Sequence, residues 1–261
     1  MALDLAAIRA KLDRLSGANR NRNTKWKPTE GEKHTVRIIS FPNDGSVPDG
    51  LHQFRELQWY YNIPGVNYGI IAPFQFGKPD PVQELITKLR EEGSKESYEM
   101  AKKLYPSNRI YAAVIVRGQE DEGVKIWGFG KTVYQKILQI MLDEDYGDIT
   151  DPLEGRDITV TCTKPPGKQY ASTDIMPRPK ITPLSKDSKQ AQEWIENVPT
   201  VDSLYELQSY DKISGFLDAW INGDEGEEAS EGTEMPTSGT SSSSSSTSYS
   251  NLDDAFADLM D

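Results

Sequence analysis

Between Arg109 and Lys131 the sequence brings aromatic rings and cations together: Arg109, Tyr111, Trp127, Phe129 and Lys131. Flat π faces beside positive charge suit a ligand that is itself flat and anionic, as unpaired bases on a phosphate backbone are. Tyr170 sits in a second such neighbourhood, after Lys164-Pro-Pro-Gly-Lys168. A third is Trp59-Tyr-Tyr61, close to Arg55. These stretches nominate Tyr111, Trp127 and Tyr170 for stacking, then Trp59, Tyr61 and Phe129. Arg37, Arg55, Arg109, Lys131, Lys164 and Lys168 are nominated for phosphate contact. Trp26, Trp194 and Trp220 are expected in the core.

Residues for bond-breaking chemistry are missing. Gly128-Phe-Gly-Lys-Thr132 ends like a phosphate-binding loop, but that pattern needs a glycine five residues before Gly130, and position 125 is Lys. No Gly-x-Ser-x-Gly elbow occurs. Cys162 is the only cysteine, which excludes an internal disulfide and a cysteine-cluster metal site. His34 and His52 are the only histidines, and neither has a sequence context that suggests a nucleophile pair. No catalytic residue, cofactor or metal is expected.

The elements that must carry the aromatic and basic residues follow from periodicity. Arg109–Gly118 and Val124–Gly130 are β-rich runs around a polar connection containing Gly123, a hairpin signal. Val133, Ile137, Ile140 and Met141 then recur at helical spacing. Earlier, His34–Phe41 alternates as a strand and stops at Pro42; Arg55–Ile63 is a second strand, ended by Pro64-Gly65. Successive strand residues face opposite ways, so at least one of Trp59, Tyr60 and Tyr61 points outward. Asp80 caps a helix that Pro81 opens, with Val82, Leu85, Ile86 and Leu89 as its stripe. A second short helix ends near Tyr105-Pro106, which makes residues 64–106 a helical insertion. Asp157–Thr163 alternates as a strand, Pro177–Pro183 is extended, and 187–196 and 201–221 read as closing helices.

Five short strands with one helix before the last give an α+β, mainly β fold, and an oligonucleotide-binding barrel fits that count. Composition frames the body on both sides. Residues 222–261 hold ten of the 41 acids and no Lys or Arg, so residues 1–221 have 31 acids against all 29 bases. The tail therefore carries almost all of the net charge of −12, and the body is near neutral. The tail contains the serine run Ser241–Ser246 and is expected to be disordered. It ends on an acidic amphipathic peptide with Leu252, Asp253, Asp254, Phe256 and Leu259. Residues 1–23 form a basic arm, with Leu5, Ile8, Leu12 and Leu15 on one helical face and Arg9, Lys11 and Arg14 among them. Asp4, Arg9, Lys11 and Asp13 exclude a secretory leader at residues 1–15, and no run is long and apolar enough for a membrane helix.

The three-part layout resembles the single-stranded DNA-binding (helix-destabilising) proteins of T-even-type bacteriophages. The resemblance rests on Trp26 leading into Val36-Arg-Ile-Ile-Ser-Phe-Pro42, on Tyr111-Ala-Ala-Val-Ile-Val116, on Glu122-Gly-Val-Lys-Ile-Trp-Gly-Phe-Gly-Lys131, and on the serine run followed by Asn251-Leu-Asp-Asp254. It implies an arm (1–23) for head-to-tail self-association, a DNA-binding core (24–221) and a tail (222–261) that recruits phage replication, recombination and repair proteins. It implies sequence-independent, cooperative, non-enzymatic binding in the cytoplasm of the infected bacterium. Tyr111 and Tyr170 fall at aromatic positions of that family. Two departures stand out. The family's zinc site of one His and three Cys has no counterpart between Asn62 and Leu85, so the zinc is read as lost. Met1-Ala-Leu-Asp-Leu5 also lacks the family's leading Lys/Arg-Ser/Thr cluster, which leaves Arg9, Lys11 and Arg14 for self-association. The acidic tail could also compete for the DNA groove. Two other readings stay open: an RNA-binding regulator on the same barrel, and a protein-interaction adaptor whose aromatics are all core.

Overall fold

The structure is a computed structural model and describes residues 24–43, 51–167 and 170–221. The arm, the acidic tail and Lys168 lie outside the described residues. The chain is mixed α+β. Its strands are β1 (Lys25–Trp26), β2 (Lys33–Ile39), β3 (Arg55–Tyr60), β4 (Ile70–Ile71), β5 (Ser107–Val116), β6 (Lys125–Phe129), β7 (Arg156–Thr163) and β8 (Ser172–Ile181). Its helices are α1 (Pro81–Glu92), α2 (Lys95–Leu104), α3 (Lys131–Leu142), α4 (Ser188–Glu196) and α5 (Tyr210–Ile221). Two compact units divide it. One takes its described residues from 1–57 and 108–206, the other from 58–107 and 207–261.

The first unit is built on the strand order β1-β6-β5-β2-β7-β8. β1 runs parallel to β6; the β2–β5, β5–β6, β2–β7 and β7–β8 pairs are antiparallel. Alternation sorts the residues onto two faces. Val36, Ile38, Ala112, Val114, Trp127, Phe129, Ile158 and Val160 join Val133 and Ile137 of α3 in one core. On the opposite face, Ile39, Ala113, Ile115 and Ile126 pack with Leu184, Trp194, Val198 and Leu204.

A buried polar knot fastens that second face. Arg37 has no exposed surface. Its Nε donates to Asp157 Oδ1 at 3.0 Å, Nη1 to the Asp151 carbonyl at 3.2 Å, and Nη2 to Thr182 Oγ1 at 2.7 Å. Arg117 donates to the same carboxylate at 2.9 Å and to the Leu184 carbonyl at 2.8 Å. One carboxylate thus sits between two guanidiniums, and their spare donors tie down the chain at 182–184.

The second unit folds around Tyr60, Ile63, Ile70, Val82, Leu85, Ile86, Leu89, Ala101, Leu104, Ile213 and Leu217. β3 and β4 meet antiparallel, with Trp59 opposite Ile71 and Tyr60 opposite Ile70. Asp80 organises the unit. It is 3% exposed. Its Oδ2 accepts from Tyr60 Oη at 2.9 Å and from the Phe74 N–H at 3.3 Å. Its Oδ1 caps α1 by accepting from the Val82 and Gln83 N–H groups at 3.0 and 3.2 Å. A strand, a turn and a helix therefore converge on one carboxylate, in the segment where the resemblance implies a metal. Among the described residues no group of three or more His, Cys, Asp or Glu could hold a metal ion. The residues at hand do not fit a zinc site.

The five expected strands recur with β1, β4 and β8 added to them, and the expected helices recur except in the last run. β8 begins at Ser172, although only 177–183 reads as extended from sequence. It is an edge strand with Ile175 as its single buried residue, and Pro177 and Pro179 are tolerable only on an edge. The run 201–221 is not one helix. A short 3-10 turn spans Val201–Leu204, and α5 starts anew at Tyr210, where Ser209 Oγ accepts from the Lys212 N–H at 3.4 Å. Among the described residues no helix is long and apolar enough to cross a membrane.

Candidate nucleic-acid interface

Register decides which of the nominated aromatics can meet a ligand. β5 pairs with β6 so that Tyr111 lies opposite Gly128 and Ala112 opposite Trp127. Tyr111 and Trp127 therefore occupy opposite faces of the sheet, and one surface cannot use both. Trp127 is 1% exposed. Its ring meets Trp26 edge-on at 5.6 Å and lies 4.6 Å from Phe129. Phe129 is buried in the same cluster. The expectation that Trp127 and Phe129 stack on a ligand is corrected: both are core, and the small Ala112 leaves room for the indole. Arg37 is corrected likewise, since its donors are spent on Asp157, Asp151 and Thr182.

Tyr111 remains half-exposed on the other face. Its ring lies against Gly128, where a Cβ would come within 2.9 Å of Cε1. Arg109, two residues before it and on the same face, donates from Nη2 to the Gly128 carbonyl at 3.0 Å. Ring and guanidinium are thus assembled on one glycine. Lys131 follows three residues later, exposed on the first turn of α3. Gly130 caps that helix with no side chain, and backbone N–H groups at such an end favour an anion.

The other nominated residues of this unit are dispersed. The Arg55 guanidinium lies 4.8 Å from the centre of the Phe41 ring and donates to the Phe54 and Pro42 carbonyls at 3.1 and 3.0 Å. Lys164 is exposed in the β7–β8 connection, and Tyr170, in the same connection, is 76% exposed.

In the second unit Trp59 and Tyr61 face the same way, as residues two apart on extended chain do. Their rings are stacked, with centroids 6.3 Å apart and planes 17° apart. Tyr60 between them points inward to Asp80. Tyr61 is 46% exposed. A Cβ at Gly69 would meet Tyr61 Cε1 at 2.6 Å and Trp59 Cε3 at 3.2 Å. Sequence reasoning missed both glycines. The only available signal was their place opposite a tyrosine, which requires the register.

No curated protein matches the chain. A family model described as "gp32 DNA binding protein like" matches residues 33–233, a span that contains every described nominated residue of both units. On that match the chain belongs to the gp32-like DNA-binding protein family.

Proposed function

We propose that this DNA-binding chain takes single-stranded DNA, without sequence preference and without catalysing a reaction on it. One observation carries the reading: Tyr111 and Arg109 are held together on Gly128, at a half-exposed place on the sheet. A ring can be shared only with a base that has left its own stack, which favours a single strand over a duplex. Tyr111 supplies such a ring in the first unit, and Trp59 with Tyr61 supplies one in the second. Tyr170 adds an exposed ring at the β7–β8 connection. Arg109, Lys131 and Lys164 face phosphates, and Lys168 belongs to the same basic connection. The strand order β6-β5-β2-β7-β8, with α3 between β6 and β7, supports reading the first unit as an oligonucleotide-binding barrel.

The resemblance extends the proposal. The arm, through Arg9, Lys11 and Arg14, joins copies along the strand. The tail, through Leu252, Asp253, Asp254, Phe256 and Leu259, recruits replication and recombination proteins of a phage in the host cytoplasm. Asp80 and the apolar packing around it take over the fastening role of the lost zinc.

Tryptophan fluorescence during titration with oligothymidylate, at several salt concentrations, tests the core of this. Quenching reversed by salt is expected, with a log–log slope of about −0.7 per phosphate neutralised. A flat titration, confirmed with a labelled oligonucleotide, would sink the reading. Tighter binding to an RNA oligonucleotide of the same sequence would redirect it to RNA.

A further inference from the structure

We propose that Gly128 and Gly69 are positioning residues, each fixing one tyrosine as a stacking platform. The inference rests on the stacking reading of Tyr111 and Tyr61 given above. Glycine inside a paired strand, as Gly128 is, is a cost, because it adds backbone freedom and no packing. Conformation does not require it here. Gly31, Gly65, Gly77, Gly93, Gly118, Gly123, Gly147 and Gly167 have positive φ, and Gly69 and Gly128 do not. Any residue could adopt their backbone. Space is what demands glycine.

The two places share one geometry. At Gly128 an added Cβ would stand 2.9 Å from Tyr111 Cε1 and 3.3 Å from Cδ1. At Gly69 it would stand 2.6 Å from Tyr61 Cε1 and 3.1 Å from Cδ1. Tyr111 is the direct cross-strand partner of Gly128. Tyr61 and Gly69 lie just outside β3 and β4, one step beyond the Tyr60–Ile70 pair, and there too the ring comes against the glycine. In each unit a tyrosine ring is thus laid across the backbone of the neighbouring strand. One side of each ring is given to the glycine; Tyr61 also stacks on Trp59 and is 46% exposed, and Tyr111 also packs against the second-face core and stays half-exposed. A ring already held flat has less freedom to lose when a base arrives. Trp127 shows the contrast: its partner is Ala112, and it is buried.

A purely structural alternative exists, since an aromatic covering a strand glycine also shores up the sheet. The two roles separate on a readout that depends on bases. Full-length chain would be titrated with oligothymidylate and with an abasic oligonucleotide of equal length, at one salt concentration. The ratio of the two affinities measures stacking. Tyr111→Leu is expected to lower that ratio by about 5- to 150-fold, the range for losing one stacked base. Gly128→Ala and Gly69→Ala should each lower it by about 3- to 10-fold while leaving abasic affinity unchanged. Gly128→Ala combined with Tyr111→Leu should be no worse than Tyr111→Leu alone, because both act on one ring.

If the wild type shows no preference for bases, the stacking reading falls and takes this proposal with it. If the preference exists and needs Tyr111, but both Gly→Ala variants keep it and merely melt lower, the positioning role is overturned and the stacking reading stands. Should a Gly→Ala variant fail to fold, adding the Tyr→Leu change should restore folding by removing the clash. Failure to restore it would overturn the proposal.

Discussion

At the scale of single residues, aromatic and basic side chains of similar appearance divide into fastenings and contacts. Trp127→Ala should destabilise the fold by about 3–5 kcal/mol, because it empties a filled core position. Tyr111→Ala should cost little stability and about 1–3 kcal/mol of oligothymidylate affinity. Chemical denaturation and fluorescence titration on the same two proteins check this, and the reverse pattern would exchange their roles. Arginines divide in the same way. Asp157→Ala strands two guanidiniums, one of them fully buried, and should cost about 3–5 kcal/mol in denaturation. Arg109→Ala should leave stability nearly unchanged and make the salt slope shallower by about 0.7, one phosphate fewer. The residue types were legible in sequence. Their side of the sheet was not. Arg37 looks like a surface cation, and Trp127 like a partner of Tyr111, until pairing puts Tyr111 opposite Gly128.

Elements were more legible than sites, for physical reasons visible in particular segments. Asp80-Pro81 announces α1, because an N-cap carboxylate and a first-turn proline both suit a helix start. The alternation of β7 matches a strand that buries one face, whereas β2 is buried on both faces from Val36 to Ile39. β8 escaped because an edge strand with one buried residue carries no alternation to read. The break between Leu204 and Tyr210 escaped because the apolar spacing runs through it. What sequence could not show about Asp80 is that it does more than cap. Asp187 caps α4 with one exposed hydrogen bond to the Lys189 N–H. Asp187→Ala should therefore cost about 1 kcal/mol. Asp80→Ala also strands Tyr60 Oη and the Phe74 N–H in a buried place, and should cost about 3 kcal/mol or more. Equal losses in denaturation would reduce Asp80 to an ordinary cap.

At the scale of the whole molecule, alkaline pH tests the buried contact between Tyr60 and Asp80. Burial first, and the nearby Asp80 carboxylate second, push the Tyr60 phenol well above its ordinary value of 10.0. Burial and Asp202 raise Tyr205 in the first unit, and a hydrogen bond to Glu84 raises Tyr210 in the second. A phenol raised in the fold ionises first in the unfolded chain. Its contribution to stability is therefore intact below about pH 10 and is lost as pH climbs beyond it. Denaturation midpoints should fall above pH 10, and less steeply for Tyr60→Phe than for the wild type. Tyrosine absorbance should show part of the phenols ionising only as the chain unfolds. A wild-type midpoint that holds to pH 11 would contradict the burial of Tyr60.

The second unit is discontinuous in sequence, and this has a consequence for how the chain comes off the ribosome. Its core takes Leu85, Leu89 and Ala101 from the middle of the chain and Ile213 and Leu217 from α5. The first unit's described residues are complete at Glu206. During synthesis α1 and α2 emerge more than a hundred residues before the helix that covers them. For that interval they expose an apolar face with nothing of their own to close it. A chain arrested at residue 206 should fold its sheet yet remain sticky through α1 and α2, and a free peptide carrying α5 should quieten it. Vectorial synthesis thus makes α5 the step that covers the apolar face of α1 and α2.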